Sequence, residues 1–300
     1  MTALLDILGC RYPIIHGPIG AMNSSKLVAA ICEAGAFGML AIGFMSDLQE
    51  AKRLVKEVQE LTDKPFGANL SIKDPANQDI LEILADAGVK AVTTSAGSPR
   101  NIYPQIHALG MRGMHVVLSF PHAMKAIDAG VDGLVVSGLE SGGLRTTGPE
   151  STTMVLVPLV VDHVNVPVVA AGGIADSRGY RAALALGAQG VQVGTCFIAS
   201  EESSASTEWK NAILNCGDGE TRLLPLGNLN MRVIDNPKLK EKMDNPDVDL
   251  TQEYSLMNAP RAWNSGDFDL FPAGGGQVSA LIKEIKPVKA IIEEMVSQGR

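Results

Sequence analysis

The chain has 300 residues, 46% hydrophobic and 19% charged, which provides for a large core and excludes wholesale disorder. Its net charge of −8 argues against nucleic acid or an anionic membrane surface as the main partner, and 2 Trp, 4 Tyr and 7 Phe make no platform for stacking bases. Four cysteines, Cys10, Cys32, Cys196 and Cys216, lack any CxxC spacing; zinc ribbon, redox dithiol and disulfide scaffold are unsupported and a reduced, cytoplasmic setting is expected.

The opening MTALLDILGCRYP has no basic n-region and carries Asp6 within its apolar stretch, so it does not read as a signal peptide. No run reaches the ~18 apolar residues of a membrane span; the longest, around 154–161, is interrupted by Pro158. A first strand is predicted at YPIIHGPIG. Further strands follow at EAGAFGML, KPFGANLSI (from Pro65), DAGVKAVTT, ALGMRGMHVVL, DAGVDGLVV, VPVVAAGGI (from Pro167) and ALGAQGVQVG. Stretches of helical period lie between them, among them 25–33, 47–61, 77–87, 122–129 and 177–186.

Five of these segments repeat one pattern: a helix tail, a Gly, and a small residue three positions on. The pairs are Gly35/Gly38, Gly88/Ala91, Gly110/Gly113, Gly130/Gly133 and Gly187/Gly190. The first Gly suits a helix C′ position and the second starts a strand close to its helix. Near-continuous aliphatic strands alternating with helices predict an α/β fold, a (β/α)8 TIM barrel. A doubly wound open sheet is the alternative, but GPIGAMNS after the first strand is not GxGxxG. Residues 1–200 are read as the barrel and 201–272, which turn polar, as a helical or irregular lid inserted after the last strand. Residues 273–300 are read as a C-terminal segment and helix packing back on the barrel.

Chemistry in such a barrel collects on the loops after the strands, and phosphate sites recur after the seventh and eighth. Here those loops carry Gly172-Gly173 and Gly194-Thr195. Gly142-Gly143 follows the sixth strand, and Gly17-Pro18-Ile19-Gly20 the first. Bare backbone there admits an anion and a flat ligand. Asn69, ending the third strand, offers an amide that donates and accepts. Lys73 and Lys125 sit one turn into loops, so no Schiff-base lysine is expected. Asp74, Glu140 and Asp176 lie on separate loops without a His at ligand spacing, so no metal centre is expected. Phosphate loops without acid–base side chains point to a bound cofactor, and flavin mononucleotide (FMN) fits better than a sugar phosphate. His107 and His163 fall on predicted helices, and His115 is read as beginning a strand at the wrong end. His16 and His122 lie at the functional end.

On YPIIHGPIG, PFGANLSI, GLESGG, PVVAAGGIADSRG, ALGAQGVQVGTCFIASEE, MRVIDNP and GGGQVSALIKEIKPV, the chain resembles the nitronate monooxygenase (2-nitropropane dioxygenase-like) family. It is similar as well to the sister group of flavin enoyl-acyl-carrier-protein reductases. The resemblance implies a barrel holding FMN noncovalently, its phosphate at Gly142-Gly143, Gly172-Gly173 and Gly194-Thr195. Asn69 and the Gly17–Gly20 backbone would face the flavin, with Gly276 and Gln277 near it. The family reads GGH after the sixth strand, its His the acid/base or substrate orienter; this chain reads Gly142-Gly143-Leu144, then Arg145 and a longer loop before Thr152-Thr153-Met154. His16 replaces the usual first-strand Gln, and Ile19 its Met partner. Leucine cannot transfer a proton. The catalytic candidates are therefore His122, Arg145 and His16, with the planar fork of Arg145 suited to a carboxylate or nitronate.

The leading expectation is an FMN-dependent oxidoreductase acting on a small carbon acid such as a nitronate, with O₂ reoxidising the flavin. An NAD(P)H-dependent reductase of an enoyl thioester or other activated alkene is the second. A flavin-free isomerase or lyase binding a sugar phosphate at the same loops is the third, and a cofactor-binding relic without turnover the fourth. A small-molecule substrate is expected, NAD(P)H is kept as an optional co-substrate, and a second copy of the chain as an optional partner.

Overall fold

Each of the eight apolar runs forms a parallel strand: β1 (Ile14–His16), β2 (Gly38–Ala41), β3 (Phe66–Ser71), β4 (Ala91–Ser95), β5 (Arg112–Val117), β6 (Gly133–Ser137), β8 (Val168–Ala171) and β9 (Gly190–Val193). The computed structural model describes residues 3–19, 22, 24–42 and 47–297, so Gly20 of the first-strand loop lies outside the described residues. The strand order is β1-β9-β8-β6-β5-β4-β3-β2, and an isolated parallel bridge, Ile15 to Phe37, joins the two ends. The architecture is thus a nearly closed (β/α)8 barrel with helices outside it.

Strand residues alternate between two apolar compartments. Ile15, Met39, Ala91, Met114, Val135, Val169 and Ala171 fill the barrel, with Leu4 and Leu8 of the helix Ala3–Leu8 packed against them. Ile14, Leu40, Ala68, Leu70, Val92, Leu134, Val136, Val168 and Val191 face the helices. Burial on both sides explains why the strands read as unbroken aliphatic runs. Each fully buried side chain adds about 1.5–3 kcal/mol. The five repeated turns have their first Gly at φ between +72° and +93°, which closes the preceding helix where an L side chain is strained. At Gly38 the need is steric instead: a Cβ would stand 2.4 Å from the Val28 carbonyl of the helix Ser25–Glu33.

The segment after the barrel differs from the sequence expectation. Residues 201–272 contain helices, among them Thr207–Asn215 and Ala259–Ser265, but also a β-hairpin, β10 (Thr221–Leu226) and β11 (Leu229–Ile234). Leu226 pairs with Leu229 across the two-residue turn Gly227-Asn228, with Gly227 at φ +66°. That is hairpin chemistry. Its partner is β7 (Gly143–Thr146), inside the loop expected to be irregular: Gly143 pairs with Arg232 and Thr146 with Leu229, antiparallel. His115 is likewise not at a strand start but fourth in β5.

The C-terminal helix Val288–Val296 packs on the helices Ser25–Glu33 and Ser177–Ala185. Among the described residues no helix is long and apolar enough to cross a membrane.

Candidate functional site

Five backbone segments converge at the C-terminal end of the barrel. The loop after β6 is tied down first. Gly138 N–H donates to the Ala171 carbonyl at 2.9 Å, and the Glu140 carboxylate accepts from Thr153 N–H at 2.9 Å. The Thr153 hydroxyl lies 3.0 Å from both Glu140 Oε2 and the Gly172 carbonyl, so this loop, the next helix and the loop after β8 form one unit. At Gly172 a Cβ would stand 2.5 Å from Ser141 Oγ. After β9, Gly17 N–H donates to the Val193 carbonyl at 2.7 Å, and a Cβ on Gly194 would meet the Gly17 carbonyl at 3.3 Å.

The fifth segment arrives from the far end of the chain. Gly276 N–H donates to Thr195 Oγ1 at 3.1 Å, and Gln277 N–H to the Glu140 carbonyl at 2.9 Å. A Cβ at Gly276 would press on Glu140 O and Gly142 N at 3.0 Å, and one at Gly142 on Gly276 N at 2.9 Å. Gly17, Gly142, Gly172, Gly194, Thr195, Gly276 and the Gln277 backbone are therefore brought together, with Gly173 beside Glu140. The Gln277 side chain is exposed, and Gly143 begins β7. Pro18 and Ile19 continue from Gly17 half-buried, Ile19 against the core.

Inside the barrel mouth the polar groups are neutral. Asn69 Nδ2 donates to Thr93 Oγ1 at 2.8 Å, and Ser137 and Ser141 share a hydroxyl bond of 2.7 Å. Gln192 was not singled out from the sequence. It pairs in register with Ile15 and Ala171, both of which fill the barrel, and its buried Oε1 has no partner among the described residues. Its signal was a lone amide in the otherwise aliphatic run of β9. Among the described residues no group of three His, Cys, Asp or Glu side chains can hold a metal; Asp176 instead caps the helix Ser177–Ala185.

The three catalytic candidates are not gathered here. His16 follows Ile15, which fills the barrel, so it points to the helix side; its Nδ1 lies 3.0 Å from the Met39 carbonyl and its ring is edge-on to Phe197. Burial pushes its pKa down to about 4, against the opposing effect of the Met39 bond. His122 is exposed on the first turn of the helix Phe120–Asp128, its N–H on Ser119 Oγ at 3.4 Å. Arg145, expected to offer its planar fork to a substrate carboxylate or nitronate, is instead enclosed and paired. Its side chain is fully buried in β7, with Nε on Glu150 Oε2 at 2.7 Å and Nη2 3.5 Å from the Ser137 carbonyl. Leu144, where an acid/base His was sought, is opposite Met231 and packs on the core.

This geometry has known counterparts. The family model for nitronate monooxygenase matches residues 1–298. A probable nitronate monooxygenase of Staphylococcus saprophyticus is 29% identical, over 99% of this chain and 97% of that protein. FabK from Thermotoga maritima superposes with a TM-score of 0.89 at 36% identity, over 99% of this chain and 95% of that one. The nitroalkane oxidase of Streptomyces ansochromogenes gives 0.82 at 26% identity, over 98% and 96%. With a matched barrel, a glycine-walled cradle at its C-terminal end and a family model spanning almost every residue, the chain belongs to the nitronate monooxygenase family of flavin-dependent oxidoreductases.

Proposed function

We propose that this chain is an FMN-dependent oxidoreductase that oxidises a small carbon acid presented as its anion, a nitronate, with O₂ as the oxidant of the flavin. One observation carries the reading. Glycine segments close on one another where a Cβ at Gly142, Gly172 or Gly276 would collide, while the mouth beside them holds neutral amides and hydroxyls. Backbone freed of side chains suits a phosphate and a flat ring. Gly142, Gly143, Gly172, Gly173, Gly194, Thr195, Gly276 and Gln277 would hold the phosphate end, and Gly17, Pro18, Ile19, Asn69 and Gln192 the ring end. When bound, FMN supplies a two-electron acceptor.

The protein's own contribution is binding and orientation. Asn69 and Gln192 can each donate and accept a hydrogen bond. A neutral nitroalkane must lose a proton from carbon before it is oxidised, and Leu144 accepts none. A nitronate has already lost that proton. Reduction of an enoyl thioester by NAD(P)H needs the opposite, a proton delivered to carbon, and Leu144 holds none to deliver.

Anaerobic mixing of the flavin-loaded protein with propyl-2-nitronate should bleach the flavin band, whereas neutral 2-nitropropane, NADH and NADPH should leave it unchanged. A colourless protein that cannot be reconstituted with FMN would falsify the cofactor and favour the flavin-free barrel. Bleaching by NADH or NADPH but not by the nitronate would move the assignment to a reductase.

A further inference from the structure

Two of the segments that meet at Gly142 and Gly276 hang from one strand of the hairpin. Over 229–232, β11 is paired to β7, whose first residue is Gly143. Beyond that, Val233 bridges to Gly274, and Ile234 N–H donates to the Ala273 carbonyl at 2.7 Å. From the same strand Arg232 reaches the loop itself. It is 4% exposed, and its Nη2 donates to the Leu139 carbonyl at 3.0 Å while Nη1 rests on Thr221 Oγ1 at 3.1 Å. Arg145 stands on the same face of the small sheet and reaches the Ser137 carbonyl. The Glu140 carbonyl is taken by Gln277 N–H. Three carbonyls within 137–140 are therefore held by donors from neighbouring segments. In a planar trans peptide the N–H that follows a held carbonyl turns the opposite way, so these contacts fix the course of the loop into Ser141-Gly142-Gly143.

Arg145 and Arg232 are close enough that Arg145's charge, added to burial, pushes the Arg232 guanidinium below its ordinary value. Arg145 Nη1 and Arg232 Nε are buried without a partner among the described residues. The Glu150 and Glu140 carboxylates act on Arg232 in the opposite sense, and Arg145 is paired with Glu150. It is therefore the hydrogen bonds of the two guanidiniums to the loop, rather than a surplus of positive charge, that bear on the cradle.

We propose that Arg232 is a positioning residue for the phosphate end of the cofactor, holding the 137–142 loop in the shape that receives a phosphate, with Arg145 beside it. This rests on the reading of the cradle as an FMN site. Arg232 touches no part of the barrel mouth in its own right; it acts through the Leu139 carbonyl.

The test compares FMN with riboflavin, which lacks the phosphate. Wild type, Arg232→Met, Arg232→Lys and Arg222→Met are stripped of flavin, and dissociation constants are measured by quenching of flavin fluorescence. Arg222 lies on the same hairpin but pairs with Asp235 and contacts no cradle carbonyl, so it controls for lost charge. Arg232→Met should weaken FMN by about tenfold or more while changing riboflavin by less than about twofold. Arg232→Lys, which keeps the charge and loses the fork, should fall between, and it carries the test if the methionine variant does not fold. Arg222→Met should match wild type. Equal weakening of FMN and riboflavin, or an unchanged ratio in both Arg232 variants, overturns the proposal while wild type still binds FMN. Failure of wild type to bind FMN at all overturns the cofactor reading with it.

Discussion

Arg145 and Glu150 show how burial decides what a charge does. Arg145 is fully enclosed and Glu150 5% exposed, and among the described residues Glu150 Oε1 has no partner. Removing one partner leaves the other as an uncompensated buried charge, which costs about 3–5 kcal/mol; replacing both with apolar groups of similar volume costs far less. Arg145→Ala should therefore lower the urea midpoint sharply at fixed FMN concentration, and Arg145→Met with Glu150→Met should recover most of the loss. A double variant as unstable as the single one would show that the pair is not the unit that matters. A sequence cannot show this enclosure. Arg145 stands in LRTTGPE, a stretch that reads as solvated, and the strand that covers it lies beyond residue 220.

Two kinds of glycine punctuate the elements, and they should fail differently. Gly130 closes a helix-to-strand turn at φ +78°, and a Cβ added there would have nothing within 4 Å, so Gly130→Ala meets backbone strain alone, about 1–2 kcal/mol. Gly276 has an ordinary φ of −76°, yet its Cβ would press on Glu140 O and Gly142 N at 3.0 Å. Gly276→Ala should cost about 1–3 kcal/mol through overpacking against backbone and also weaken FMN binding by about tenfold, read by fluorescence quenching, whereas Gly130→Ala should leave FMN binding unchanged. Full retention of FMN by Gly276→Ala would place the phosphate elsewhere. The barrel and most of the cradle were legible because both kinds leave a mark: strands buried on both faces are continuously apolar, and close backbone approach demands Gly. The hairpin left a weaker mark. β10 is largely half-exposed, β11 buries Arg232 among its apolar residues, and the two mix Arg, Asn and Pro with Leu, so only the Gly227-Asn228 turn signalled it. Gln192 was passed over because one amide in an apolar strand carries no spacing to test.

Across the whole molecule, a net charge of −8 is compatible with the proposed phosphate site, whose binding groups would be backbone N–H groups with two buried guanidiniums behind them. The same burial makes the fold sensitive to acid through two histidines outside the mouth. His16 lies against Phe197, and His115 bonds Thr94 Oγ1 at 2.8 Å. Burial is the main cause that brings each pKa down to about 4, with the nearby His122 adding to it for His115. In the unfolded chain a histidine titrates near 6.5. Between about pH 6.5 and 4 the unfolded state thus binds up to two more protons than the folded one, so stability is complete above about 6.5 and falls on acidification. Each histidine contributes a slope of about 1.4 kcal/mol per pH unit, levelling off below about 4 as the folded state also takes up its proton. Depressed carboxylates such as Asp132 and Asp176 lose their contribution lower still, as pH falls from the ordinary carboxylate range through their own values. Urea midpoints at saturating FMN from pH 7.5 to 4 should therefore show a two-proton decline in wild type. His16→Gln, whose amide can still donate to the Met39 carbonyl, should halve it, and adding His115→Gln should flatten it. If the double variant declines as steeply as wild type, the protons are taken up elsewhere in the chain.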